Sequence, residues 1–203
     1  MKRLSKVMVL AVPIVFLIGG AFGLANKSAQ ALDESAKSAV VERIVAYLKG
    51  NKADMREDNL KALVHTVCDQ SKQRDLDYRL ALAVIKVESN FKRDVVSPKG
   101  ARGLFQIKPS LAKYIAKDAG VKWDGTRCLH EPDNNIKLGV YHLSRLVEDY
   151  ESLSAALLAY NAGATGMKAR QAGKGGPKNA FTKRVLKEYR HNISVLPEMD
   201  GSE

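Results

Sequence analysis

One carboxylate in this chain lies where a carboxylate is out of place. Leu80, Val84 and Val87 recur at helical spacing, Ala81 and Ile85 flank that stripe, and Glu88 follows directly on it. A glutamate so placed is partly removed from water. Lost hydration disfavours the charged form and raises the pKa by roughly one to a few units. A glutamic acid still protonated near neutral pH can give a proton to a leaving oxygen. From the helix alone, an ordinary surface glutamate at a helix C-terminus is the simpler reading.

The segment that follows shifts that balance. Ser97-Pro98-Lys99-Gly100 reads as a turn. Gly100, Ala101 and Gly103 carry almost no side chain, so backbone there can approach another surface closely. Leu104, Phe105 and Ile107 then set apolar anchors around a polar amide, Gln106. Further on, Ala159-Tyr160-Asn161-Ala162-Gly163 closes an apolar run. Asn161 offers a donor and an acceptor, and Tyr160 offers a flat ring and a hydroxyl. Sugars need that mix, because each ring has apolar faces and a hydroxyl rim. Read locally, the same five residues also make a helix end with Asn and Gly in the left-handed conformation.

The elements that must position these residues are helical nearly throughout. Val40, Val41, Ile44, Val45 and Leu48 predict a first amphipathic helix ending near Gly50. Leu60, Leu63, Val64 and Val67 predict a second. Asp77 is placed to cap the Glu88 helix, and Asp133 to cap one carrying Ile136, Val140 and Leu143. A short helix is expected over 110–118, a loop over 120–132, and another short helix from Leu153 to Tyr160. Residues 163–177 read as a mobile loop by their glycines, and a last helix is expected from Phe181 to His191. No run reads as a strand, and no repeat is visible. The fold class is all-α.

The chain has 203 residues, enough for one domain with a sizeable core. Its first residues follow another logic. Lys2, Arg3 and Lys6 precede an uncharged run from Val7 to Ala25, and the small residues Ala29-Gln30-Ala31 come next. That order is basic, apolar, then a cleavage site, as in a secretory signal over 1–31. The run also approaches the length of a membrane span, so an uncleaved anchor stays open, and only that would bring a membrane contact. Residues 32–74 are then a helical extension, 75–192 the main domain and 193–203 a flexible tail.

The whole chain carries a net charge of +11, and the first 31 residues hold four basic side chains and no acid, which leaves +7 for the remainder. A basic surface suits an anionic polymer. Export argues against nucleic acid and for cell-wall glycan with its peptide carboxylates. The expected location is exported, periplasmic or in the cell envelope. Two cysteines in an exported chain, Cys68 and Cys128, are more often bridged than free. Such a bridge is worth on the order of 4 kcal/mol by chain entropy. Two buried thiols are the alternative. His65, His130, His142 and His191 show no metal-ligand spacing, so neither a metal nor another cofactor is expected.

Glu88-Ser89, followed by Ser97 through Pro109, resembles the lytic transglycosylase family with its goose-type lysozyme relatives. Members show Glu-Ser and then Ser-x-x-Gly-Ala-x-Gly-Leu-Met-Gln-x-x-Pro; here Phe105 stands where Met is usual. Ala-Tyr-Asn-Ala-Gly at 159–163 is a second family motif, and Pro132 through Gly139 resembles a third block, with Gly139 permitting close helix packing. The resemblance covers roughly residues 75–190. It implies a lysozyme-like domain that cleaves peptidoglycan strands, with Glu88 as acid and then base. Gln106 and Asn161 would hold N-acetyl or hydroxyl groups, Tyr160 would offer a stacking face, and Ser89 would orient Glu88 or nearby backbone. A secretion or envelope-assembly apparatus is a further partner that small exported members often serve.

One departure stands out. Members commonly close with Tyr-Val-x-x-Val, preceded by Glu-Thr. Here Phe181-Thr182-Lys183-Arg184-Val185 falls in that register, with Pro177-Lys178 before it and Tyr189 after. Phe181 keeps the ring and lacks the hydroxyl. Two alternatives follow. A muramidase would use water and a second carboxylate, for which Asp94 is the nearest acid in sequence. A glycan-binding or secretion-assembly protein would have lost activity.

Overall fold

The computed structural model describes residues 37–50, 55–171 and 180–198. The signal-like segment 1–31, residues 172–179, which include the end of the glycine-rich stretch and Pro177-Lys178, and the last residues, 199–203, lie outside the described residues. From Val40 onward the chain forms one compact unit.

Seven α-helices make up that unit among the described residues: α1 over 37–50, α2 Glu57–Gln73, α3 Tyr78–Ser89, α4 Pro109–Ile115, α5 Pro132–Asp149, α6 Leu153–Gln171 and α7 Ala180–Val195. A 3-10 turn, Thr126–His130, interrupts the expected loop before α5. Strand pairing among the described residues is limited to two isolated bridges, Val96 with Arg102 and Arg102 with Ile107.

Helix α3 is the centre. Ala81, Leu82, Ala83, Val84 and Ile85 are all buried, so it is covered on every side. Each fully buried Leu or Ile contributes roughly 1.5–3 kcal/mol by leaving water. The apolar stripe of α2 packs on α5 and α3, and α1 adds Val41, Ile44 and Leu48 to the same core. The two N-terminal helices therefore share the core of the rest.

Asp77 caps α3, accepting from the Arg79 backbone N–H at 2.8 Å. Its other oxygen accepts from the Tyr189 hydroxyl at 2.8 Å, and Asn192 donates to the Arg79 carbonyl at 2.9 Å. These bonds tie the C-terminal half of α7 to the N-terminal end of α3, so the two helices run antiparallel. The Phe181 end of α7 is thereby left at the Glu88 end of α3. Tyr189 lies at the far end, about 16 Å along the helix from Glu88.

Three expectations need correction. Asp133 does not cap α5: Pro132 takes the first helical position, Glu131 precedes it, and Asp133 lies inside the first turn, paired with Lys137 at 2.6 Å. The chain is not free from 193 onward either. Helix α7 runs to Val195, Leu196 is buried, and the Pro197 carbonyl accepts from Tyr78 at 2.5 Å. Third, helical backbone resumes after Gly163 and continues to Gln171, because Gly163 alone departs from helical geometry (φ 64°, ψ 176°).

The cysteines are both buried thiols, not a bridge. Cys68 is on the inward face of α2, beside the Tyr78 phenol, and Cys128 is in the 3-10 turn, beside Asp124. Each is held by the packing of its own element, which takes the second alternative left by the sequence.

Candidate active site

Helix α3 ends at Glu88 and Ser89 because the next residues leave helical space on the left-handed side. Asn90 has φ 49° and Phe91 φ 62°. Asparagine tolerates this; a bulky aromatic residue there stores strain of about 1–3 kcal/mol. The Phe91 ring is buried, and that burial opposes the strain. Glu88 is thus presented at a sharply turned helix end, half-buried.

Burial pushes the Glu88 carboxyl up to about 7, and the positive charge of Arg184 opposes the shift without cancelling it. The negative end of the α3 dipole acts in the same direction as burial. The group is therefore shared between acid and carboxylate near neutrality, as a residue that both gives and takes a proton requires. Arg184 reaches this position because it lies one turn after Phe181 on the same face of α7.

Tyr160 stands beside Glu88. Burial raises its phenol well above the ordinary value, and the charge of Glu88 adds to that rise. Its ring lies parallel to Phe181 with centroids 6.1 Å apart, and tilts against His142 at 5.3 Å. Burial pushes His142 down to about 4, so it stays neutral and adds no charge to the site near neutral pH. Three rings thus form a wall behind the acid, from α5, α6 and α7.

The loop 95–107 closes the other side. Arg102 and Ile107 exchange backbone bonds at 3.0 Å, Gly103 N–H donates to Val95 O at 3.0 Å, and Gln106 N–H returns to Gly103 O at 3.1 Å. Gln106 has φ 50°, and its side-chain amide donates to Val95 O at 3.0 Å and Gly103 O at 2.9 Å. Both amide hydrogens are spent on the loop, which leaves the side-chain oxygen as the group able to meet a ligand.

Phe105 pins this loop in three ways. Its N–H donates to Asn135 Oδ1 at 2.8 Å, its carbonyl accepts from Tyr160 Oη at 2.7 Å, and its ring occupies the space over Gly139. A Cβ on Gly139 would come 2.1 Å from Phe105 Cγ. Asn135 is fully buried and also donates to Arg102 O and Leu129 O at 3.0 and 2.8 Å. A Cβ on Gly103 would collide with that amide at 2.2 Å. Gly103 and Gly139 are therefore places where Asn135 and Phe105 come too close for a side chain, whereas a Cβ on Gly100 would meet nothing within 4 Å.

Of the residues singled out in the sequence, Glu88 and Phe181 each come beside Tyr160, with Gln106 one residue from the Phe105 anchor. Asn161 follows Tyr160 with its side chain exposed. Ser89 points inward and donates to Ile85 O at 3.1 Å, so its hydroxyl serves the end of α3. Asp94 is exposed; it accepts from Arg93 at 3.3 Å and faces His130 Nδ1 at 4.0 Å. Three participants were not read from the sequence. Asn135 lay inside the Pro-Asp-Asn-Asn block read only as packing, Arg184 had only its spacing from Phe181 as a signal, and His142 had none. Among the described residues no three His, Cys, Asp or Glu side chains gather as metal ligands would.

Comparison with known proteins agrees with this geometry. The family model described as the transglycosylase SLT domain matches residues 66–181. A transglycosylase of enterobacteria phage PRD1 is 30% identical over 131 residues, covering 64% of this chain and 43% of that protein. The soluble lytic murein transglycosylase of Salmonella typhimurium is 34% identical over 92 residues, 44% of this chain and 14% of that protein. The solved lytic transglycosylase Slt of Pseudomonas aeruginosa, an inactive mutant, superposes with a TM-score of 0.53 at 25% identity, over 66% of this chain and 25% of that one. The chain thus spans less than half the length of these relatives. The all-α, lysozyme-like fold and the match over most of the compact unit lead to one assignment: this chain belongs to the transglycosylase SLT domain family.

Proposed function

We propose that the chain is a peptidoglycan lytic transglycosylase that cleaves the bond between N-acetylmuramic acid and N-acetylglucosamine. The observation that carries this reading is Glu88, a lone half-buried carboxyl raised to about 7 beside a wall of rings. Protonated Glu88 gives its proton to the bridging oxygen as the C1–O bond breaks. The resulting carboxylate takes the proton of the muramyl 6-hydroxyl, which attacks C1. A 1,6-anhydro ring forms, and Glu88 ends protonated, ready for the next cycle. One group suffices because the sugar supplies its own nucleophile.

Gln106, Asn161 and Tyr160 are the residues that would hold the sugars, and Phe181 backs Tyr160. Ser89 supports the helix end that presents Glu88. A water-using hydrolase would need a second carboxylate facing the cleft, and Asp94 is turned to solvent and to Arg93. The segment 1–31 fits export toward the periplasm, where such a polymer lies, and a basic chain suits its carboxylates. No described helix is long and apolar enough to cross a membrane.

Mass analysis of muropeptides released from purified sacculi tests the reading. Ends lighter by one water than reducing muramic acid are expected. Reducing ends would assign a hydrolase, and no release would assign a binding protein.

A further inference from the structure

No role in the proposed reaction falls to His130, yet its ring is built into the support of the Gln106 loop. It closes the 3-10 turn before α5, half-buried. Its Nε2 lies 2.9 Å from Nη1 of Arg102. A guanidinium has only donors, so Nε2 is the acceptor. An imidazole that accepts there is neutral and carries its hydrogen on Nδ1. The Asp94 carboxylate faces that nitrogen at 4.0 Å, too far for a hydrogen bond but of the polarity that suits an N–H.

Arg102 has no other side-chain partner among the described residues: its Nε is buried and bonds to nothing. Its backbone is the fixed edge of the Gln106 loop. The N–H and carbonyl of Arg102 exchange bonds at 3.0 Å with Ile107, the residue after Gln106. The same carbonyl accepts from Asn135 at 3.0 Å, and that amide also donates to the carbonyl of Leu129, the neighbour of His130, at 2.8 Å. Residue 102 and the end of the 3-10 turn are therefore joined twice. Asn135 ties their backbones from the buried side, and His130 ties the Arg102 side chain from the outer side. A loop held at one point can still turn about it, and a second point removes that freedom.

We propose that His130 is a positioning residue for glycan cleavage: by accepting from Arg102 it fixes the direction in which the Gln106 loop presents its amide oxygen to the sugar. This rests on the reading of the chain as a peptidoglycan-cleaving enzyme and adds a residue that acts through Arg102 without touching substrate. Position 130 then requires an acceptor. An apolar residue there would leave the half-buried guanidinium with no bond at all.

The test uses the full chain. His130→Leu removes the acceptor, His130→Gln keeps one, and Arg102→Leu removes the donor. A lost bond to a charged group predicts that kcat/KM on soluble peptidoglycan strands falls about tenfold in H130L, chiefly through KM, and stays within about twofold of wild type in H130Q. R102L should match H130L, and the double variant should be no worse than either, since both remove one bond. Equal losses in H130L and H130Q, or additive losses in the double variant, overturn the proposal. Two readouts need no activity. The imidazole nitrogen shifts of wild-type His130 should place its hydrogen on Nδ1; a hydrogen on Nε2 overturns the proposal. The backbone amide signals of Gln106 and Ile107 should move in H130L and hold in H130Q; signals unmoved in H130L overturn it too. If the wild type cleaves no glycan, the enzymatic reading fails, while these spectra still decide whether His130 holds the loop. Should H130L not fold, R102L, H130Q and the wild-type spectra carry the same decision.

Discussion

The hydroxyl of Tyr160 donates to the carbonyl of Phe105 at 2.7 Å, joining α6 to the Gln106 loop across 55 residues of sequence. The same phenol lies close enough to Glu88 to feel its charge. One side chain therefore sets the distance between the acid and the loop opposite it. Tyr160→Phe keeps the ring stack and leaves the Phe105 carbonyl unpaired. A lost bond of this kind costs about 1–3 kcal/mol. We expect kcat on peptidoglycan to fall about 10-fold or more with a modest drop in melting temperature. Unchanged kcat would mean that the loop is held without Tyr160.

Glu88→Gln should abolish turnover by at least the ~10²–10⁴-fold that acid–base catalysis contributes. Asp94→Asn should change it only a few-fold. Stability should respond to pH in one direction. Glu88 titrates at about 7 in the fold against an ordinary value of 4.5. Below 4.5 the carboxyl is protonated in both states and costs nothing. As pH rises through 7 the unfolded chain ionises more readily, and the fold loses stability. Glu88→Gln should therefore match the wild type at pH 4 and exceed it by about 1–3 kcal/mol at pH 8. Denaturant melts at the two pH values check this; equal differences at both would place Glu88 in water.

Phe181→Tyr adds a hydroxyl to the ring stacked on Tyr160. A hydroxyl that reaches Glu88 favours the carboxylate and lowers its pKa. Both limbs of the pH–rate profile should then move to lower pH. Superimposable profiles would show that residue 181 serves Tyr160 alone.

Gly139→Ala places a methyl 2.1 Å from the Phe105 ring. Overpacking of this kind costs about 1–3 kcal/mol. The ring cannot retreat without pulling on its bonds to Asn135 and Tyr160, so kcat should fall with stability. Urea midpoints and turnover measured on the same protein check the link. A stable variant of low activity, or the reverse, would separate packing from function.

Both cysteines should react as thiols without reductant once the chain is denatured. In the native protein labelling should be slow, because Cys68 and Cys128 are almost fully buried. Burial also raises the Cys128 pKa and keeps it protonated. A mass two protons lighter, with no thiol in denaturant, would restore the bridge expected from the sequence.

Local chemistry in the sequence was enough to reveal a carboxyl at Glu88 raised by burial, its apolar helix and the Asp77 cap, because helical spacing decides which residues share a face. The glycines at 103 and 139 were legible as close approaches, though not as approaches to Asn135 and Phe105. What only the tertiary structure decided depends on segments far apart in the chain. The antiparallel packing of α3 and α7 carries Arg184 to Glu88 and Phe181 to the Tyr160 ring, and leaves Tyr189 at the opposite end. Folding α6 over the loop turns Tyr160 from a helix-end residue into a clasp. Burial of Asn135 makes a polar residue the hub of the motif, since its three bonds satisfy backbone groups that water cannot reach. The cysteines show the converse: compartment and number suggested a bridge, and the packing of α2 and the 3-10 turn set each thiol beside another neighbour. Pairwise proximity is a property of the packed core, and no local pattern encodes it.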